Sequence, residues 1–119
     1  MAVALLLVDH GSRFAQANEM LHELAALLQT RRPNLIVKAA HMEIASPNIS
    51  QAVKACVGDG ATEIVVHPYM LANGRHATRD VPNMVRALES SYPNVSFKVT
   101  QPLGLHDKLA DIILERASL

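Results

Sequence analysis

The sequence predicts an α/β fold: one four-stranded parallel sheet, strand order 2-1-3-4, with helices on both faces. Three observations carry that expectation. The run Val3-Ala4-Leu5-Leu6-Leu7-Val8 is continuously apolar, as a strand buried on both faces of a parallel sheet should be, and it ends abruptly in Asp9-His10-Gly11-Ser12-Arg13. Four such strand segments alternate with four amphipathic helical segments, the signature of repeated βα units. The first and third strands read as central and the second and fourth as edges, which selects the order 2-1-3-4 under right-handed crossovers.

After the first strand, Ala17, Met20, Leu21, Leu24, Ala25 and Leu28 recur at helical spacing, with Glu19, His22, Glu23 and Gln29 off that stripe. Arg31-Arg32-Pro33-Asn34 suits the helix end. Leu35 to His41 is the second strand, and Lys38 in its middle marks an edge. Ser46-Pro47 reads as an N-cap followed by proline at the first helical position. The stripe Ile49, Ala52, Val53, Cys56 and Val57 follows, closed by Gly58-Asp59-Gly60. Glu63 to His67 is the third strand, and Pro68 to Arg79 reads as a long polar connection. Asp80-Val81-Pro82 opens a helix with Val81, Met84, Val85 and Leu88 on one face, ended by Tyr92-Pro93-Asn94. Val95, Phe97 and Val99 alternate with Ser96 and Lys98 as a half-exposed strand does. Leu105, Leu109, Ile112 and Ile113 line the last helix, capped near Asp107.

At 119 residues the chain makes a single domain, 1–119, able to bury a core of its own. Eleven basic and eleven acidic side chains cancel, which argues against nucleic acid as the main partner. No apolar run reaches the roughly 20 residues of a membrane span, so no membrane association is expected. The lone Cys56 and the absence of a signal-like leader point to the cytoplasm. Tryptophan is absent, so a large flat ligand would lie against aliphatic walls.

In an open α/β sheet, ligands bind beyond the carboxyl ends of the strands, at the switch point between crossovers of opposite direction. Here that point lies between the first and third strands, whose loops carry His10 and His76, and Glu43 follows the second strand on the same edge. Two imidazoles and a carboxylate around an open cleft suit a divalent transition metal with positions left vacant. The other histidines have plainer readings. His22 is a solvated helix residue, His41 packs or faces solvent, His67 is structural or functional, and His106 lies near a cap. Cys56 reads as core. Arg13, Arg75 and Arg79 are surface charges or an anion-binding set.

His10-Gly11-Ser12-Arg13, Met42-Glu43 with Ser46-Pro47-Asn48-Ile49, Val66-His67-Pro68-Tyr69-Met70-Leu71, Gly74-Arg75-His76, Asp80-Val81-Pro82 and Pro102-Leu103-Gly104 occur in order across nearly the whole chain. With them the sequence resembles the small CbiX-type sirohydrochlorin chelatases, relatives of the class II ferrochelatases. Tyr69-Met70 departs from the more apolar, often phenylalanine-containing pair of that family. The resemblance implies a chelatase-like three-layer fold and a half-size enzyme that pairs as a homodimer. It implies insertion of a divalent metal, Co²⁺ or Fe²⁺ with Ni²⁺ as a further candidate, into sirohydrochlorin without ATP or an organic cofactor, in cobalamin or siroheme biosynthesis. By position, His10 and His76 are the catalytic, metal-binding pair and Glu43 an assisting metal ligand. Ser12, Arg13, Met70, Leu71, Gly74, Arg75 and Arg79 fall where substrate is held.

Two readings compete. Mannose-type phosphotransferase IIA domains are similar small α/β modules with a histidine-glycine pair after the first strand. That explains His10-Gly11 as a phosphohistidine carrier but gives no reason for Gly74-Arg75-His76. The other is a non-catalytic carrier of a tetrapyrrole or metal. A histidine phosphatase fits worse, because Asp9 precedes His10 where arginine is needed.

Overall fold

The apolar run near the amino terminus becomes β1 (Ala2–Asp9), an inner strand of the sheet. A computed structural model describes residues 2–119 of the chain. β1 is followed by α1 (Ala15–Arg31), β2 (Ile36–His41), α2 (Ile49–Gly58), β3 (Ala61–Pro68), α3 (Val81–Glu89), β4 (Ser96–Val99) and α4 (Asp107–Arg116). The strands are parallel and ordered β2-β1-β3-β4, as the sequence predicts.

Alternate residues of β1 feed two cores, because successive side chains of a strand point to opposite faces. Ala4, Leu6 and Val8 join Ala52, Val53 and Cys56 of α2 and Val81 and Val85 of α3 in the larger cluster. Leu7 packs with Leu21 and Ala25 of α1 and Ala39 of β2, and Leu5, Leu24, Leu28 and Val37 border that cluster. α1 therefore covers one face of the sheet and α2 with α3 the other. The edge strand β2 is shielded by side chains. The Gln29 amide accepts from Val37 N at 2.9 Å, and Lys38 pairs with Asp59 at 2.8 Å.

Several local expectations change. The cap of α2 is Asn48, not Ser46. Asn48 Oδ1 accepts from Gln51 N and Gln51 Oε1 accepts from Asn48 N, each at 2.8 Å, a closed capping box. Pro47 lies outside the helix, where its carbonyl accepts from His41 N at 2.8 Å and prolongs the edge of β2. The cap of α4 does fall next to Asp107, as expected: it is His106, whose Nδ1 accepts from Lys108 N at 3.1 Å. The connection after β3 is partly helical: His76–Asp80 forms one turn of π-helix that runs directly into α3.

The largest difference is α4. The stripe Leu105, Leu109, Ile112 and Ile113 has helical period but buries nothing; no residue of α4 is buried, and Ile113 is 66 % exposed. The half of the sheet on the α1 side that α4 could cover, around Glu63, Val65, His67 and Lys98, is only partly shielded or exposed. The molecule measures 49 × 31 × 26 Å, and its radius of gyration, 14.6 Å, exceeds the about 13.5 Å expected of a spherical domain of this length.

Candidate metal and tetrapyrrole site

The turn after β1 is held by its own polar groups. Gly11 takes φ +90°, and its N–H donates to Asp9 Oδ1 at 3.0 Å. Ser12 N donates to Asn18 Oδ1 at 2.9 Å while Asn18 Nδ2 returns a bond to Ser12 O at 2.7 Å, so the first turn of α1 clamps the loop. Ser12 Oγ accepts from Phe14 N at 3.0 Å. On the other side, Met42 N donates to Asp9 O at 2.8 Å and Glu43 N to His10 O at 3.1 Å, extending the β1–β2 pairing past the strands. His10 is thus an exposed side chain on a rigid turn.

His76 arrives from the loop after β3, on the π-helical turn. Its Nδ1 lies 2.8 Å from Asp80 Oδ2, one helical turn on. That nitrogen is shielded from solvent and the approach lies off the line of a ring N–H, so the contact is electrostatic rather than a directed hydrogen bond. The two imidazoles meet edge to face, ring centroids 4.6 Å apart and planes 88° apart, with the His76 side chain 45 % exposed. Together with Met70, Leu71, Ala72, Gly74 and Ala77 they line a cavity of about 230 Å³. This is below the about 300–1,000 Å³ of sites that enclose small molecules.

The expected site residues therefore fall into three groups. His10 and His76 come together, and Met70, Leu71 and Gly74 share their cavity. Glu43 touches the His10 turn through its backbone, and its carboxylate makes no ion pair or hydrogen bond among the described residues. Among the described residues no group of three or more His, Cys, Asp and Glu side chains is arranged to hold one ion, so Glu43 does not complete a three-donor cluster with His10 and His76. Arg13 and Arg75 are exposed beside the turn and the π-helix, and Arg79 Nε lies 3.6 Å from Asp80 Oδ1. Ser12 shapes its own turn, as above.

Apolar side chains stand exposed on the loops at this edge. They are Phe14 after β1, Ile44 after β2, Tyr69 and Leu71 after β3 and Leu105 after β4. Ile44 takes φ +75° at the centre of a γ-turn closed by Ala45 N to Glu43 O at 2.9 Å. A β-branched residue there is strained.

Sequence reasoning missed Asp80 as the partner of His76 and Asn18 as the clamp of the turn. The first was signalled by the four-residue spacing, once the helix is started at His76. His41 is packed, completely buried, and His22 departs from its solvated reading, since its Nε2 lies 3.2 Å from Nε2 of His41. His67 is structural at least in part: its Nδ1 lies 2.8 Å from Thr100 Oγ1, and burial lowers its pKa below the usual histidine value. Cys56 is core, and burial pushes its thiol up to about 11.

Fold and site define a doubly wound α/β protein with an open histidine-pair site at its switch point. The chain belongs to the CbiX family, whose model matches residues 4–118. It is 37 % identical over 115 residues to the chloroplastic sirohydrochlorin ferrochelatase of Arabidopsis thaliana, covering 97 % of this chain and 51 % of that one. It is 33 % identical to the sirohydrochlorin cobaltochelatase of Methanocaldococcus jannaschii, covering 96 % of each. The crystal structure of the sirohydrochlorin chelatase SirB from Bacillus subtilis subspecies spizizenii in complex with cobalt superposes with a TM-score of 0.92 at 27 % identity, over 99 % of this chain and 50 % of that one. A putative cobalamin biosynthesis CbiX protein from Marinobacter aquaeolei VT8 gives 0.81 at 30 %, covering 98 % and 94 %. The chain thus spans about half the length of the first and third of these relatives and nearly all of the other two.

Proposed function

We propose that this chain inserts a divalent metal, Co²⁺ or Fe²⁺, into sirohydrochlorin without ATP. The observation that carries the reading is the perpendicular His10–His76 pair at an open apolar mouth, in a family whose relatives are named for this reaction with cobalt and with iron. Insertion takes in one divalent ion and releases two pyrrole N–H protons. A neutral imidazole can ligate the incoming ion or accept a proton. Two nitrogens hold a metal less tightly than a closed four-ligand cage, which suits an ion that must move on into the macrocycle. Asp80 Oδ2, 2.8 Å from Nδ1, leaves the other ring nitrogen of His76 as the one free to meet an ion. Glu43 is the nearby carboxylate, and Arg13, Arg75 and Arg79 are the cations available to the macrocycle's carboxylates. The phosphohistidine carrier gains no support from any of the relatives.

The working form in this proposal is a homodimer in the cytoplasm. A mouth too small to enclose a tetrapyrrole, relatives of twice the length, and an α4 with nothing buried support a second copy completing the cleft. The lone buried Cys56 fits a reducing compartment. Anaerobic incubation with sirohydrochlorin and Co²⁺ or Fe²⁺, followed by absorption, tests the activity. His10→Ala and His76→Ala should each abolish most insertion, and the double variant should be little worse than either, because groups acting on one ion are non-additive. Near-normal insertion by His76→Ala removes the two-histidine mechanism, and acid-labile phosphate on His10 restores the carrier.

A further inference from the structure

Behind the His10 turn lies a chain of polar side chains that neither metal nor macrocycle needs to touch. Asp9 and His41 end adjacent strands in register. His41 is completely buried, and its two ring nitrogens both have partners: Nδ1 lies 2.6 Å from Asp9 Oδ1, and Nε2 lies 3.2 Å from Nε2 of the half-buried His22 on α1. A carboxylate only accepts, so the Nδ1–H of His41 donates to Asp9. With a neutral His41 ring, the lone pair of its Nε2 faces His22, whose Nε2–H donates to it. The same Asp9 oxygen accepts the N–H of Gly11 at 3.0 Å. His22, His41, Asp9 and Gly11 are therefore joined end to end, and the last of them adjoins His10.

A buried imidazole is costly unless paired, and an aliphatic side chain would fill the same space without that cost. What the imidazole adds is direction: it fixes one rotamer of Asp9, and Asp9 fixes the turn. We propose that His41 and His22 are positioning residues that hold Asp9, and through it the His10–Gly11 turn, in the geometry that pairs His10 with His76. Its consequence for turnover rests on the chelatase reading, whereas its consequence for the turn does not.

Three variants separate the arms of the network. His41→Leu removes both bonds, His41→Asn keeps an N–H donor near the place of Nδ1, and His22→Leu removes only the outer arm at a half-exposed position. Two quantities are read: amide hydrogen exchange at Gly11, and kcat and KM for anaerobic Co²⁺ insertion into sirohydrochlorin. His41→Leu should speed Gly11 exchange about tenfold and lower kcat about tenfold at unchanged KM for sirohydrochlorin, the range of losses seen when an outer partner of a metal ligand is removed. His41→Asn should recover both to within about threefold of the unsubstituted protein, and His22→Leu should fall between. Folded His41→Leu and His22→Leu proteins with unaltered Gly11 exchange and kcat would overturn the proposal, leaving the network a source of stability only. If His41→Leu does not fold, His22→Leu decides by the same two readings. If the unsubstituted protein inserts no metal, the chelatase reading fails, and Gly11 exchange still judges the positioning role.

Discussion

At Gly11 the backbone φ is +90°, and an added Cβ would collide with the carbonyl oxygen of Glu43. Both constraints follow from the tight turn that brings His10 to the sheet edge while the β2 loop lies against it. Gly11→Ala should destabilise the protein by at least about 2 kcal/mol, read by denaturant unfolding, and remove metal insertion with it. Ile44 is the opposite case. Its strained φ of +75° is matched by no burial, since the side chain is 64 % exposed. Ile44→Gly relieves the strain and should leave stability unchanged or raise it by about 1 kcal/mol, despite the greater freedom glycine gives the unfolded chain. If Ile44 is held there to meet the macrocycle, the same variant raises KM for sirohydrochlorin. A variant that lowers stability and leaves KM unchanged would show that the turn serves only the fold.

β3 delivers two residues of different kinds. Pro68 and the loop beyond it lead to His76, whereas His67 stays in the strand and bonds across to Thr100 just past β4. Burial holds the pKa of His67 below its ordinary 6.5. The unfolded chain therefore binds this proton more readily than the folded one. The contribution of His67 is complete above the unfolded value and is lost as pH falls through it toward the lower folded pKa. The melting temperature should decline from neutral pH into the acid range, and His67→Gln should flatten that decline. An unchanged slope would assign it to other groups. The π-helical turn at the start of α3 is the other element that matters here, because it sets His76 and Asp80 on one side of the chain four residues apart.

On the scale of the molecule, the unshielded α4 and the thinly covered β3–β4 half of the sheet are two apolar or half-apolar surfaces without partners. On the α1 side no helix lies against β3 and β4, whose residues there are half-buried or exposed, and α4 buries no residue against the sheet. A second copy that exchanges α4 reciprocally across a two-fold axis would cover both, in an interface of at least about 1,200 Å². Ile112→Asp with Ile113→Asp should then give a monomer by light scattering and lose insertion while each protomer keeps its helical circular dichroism. A monomeric unsubstituted protein with full activity would rule the dimer out.

Strand order, the buried character of β1 and the loops bearing His10 and His76 are all written in local patterns: an unbroken apolar run, alternation at β4, glycine where a turn is sharp. Each is a short-range consequence of side-chain chemistry, so one sequence suffices to read it. The motifs around His10 and Gly74-Arg75-His76 add a resemblance that the family match bears out. What local patterns do not contain is which half-polar side chains meet. His22 lies off its helix stripe and His41 on an edge strand, and nothing in their spacing, 19 residues apart, announces a 3.2 Å contact. The stripe of α4 has the period of a buried helix yet is bare, because periodicity states which face is apolar and not what covers it. The meeting of Asp9, His41 and His22 and the exposure of α4 were decided by tertiary packing, which alone brings distant segments within hydrogen-bonding reach or leaves an apolar face bare.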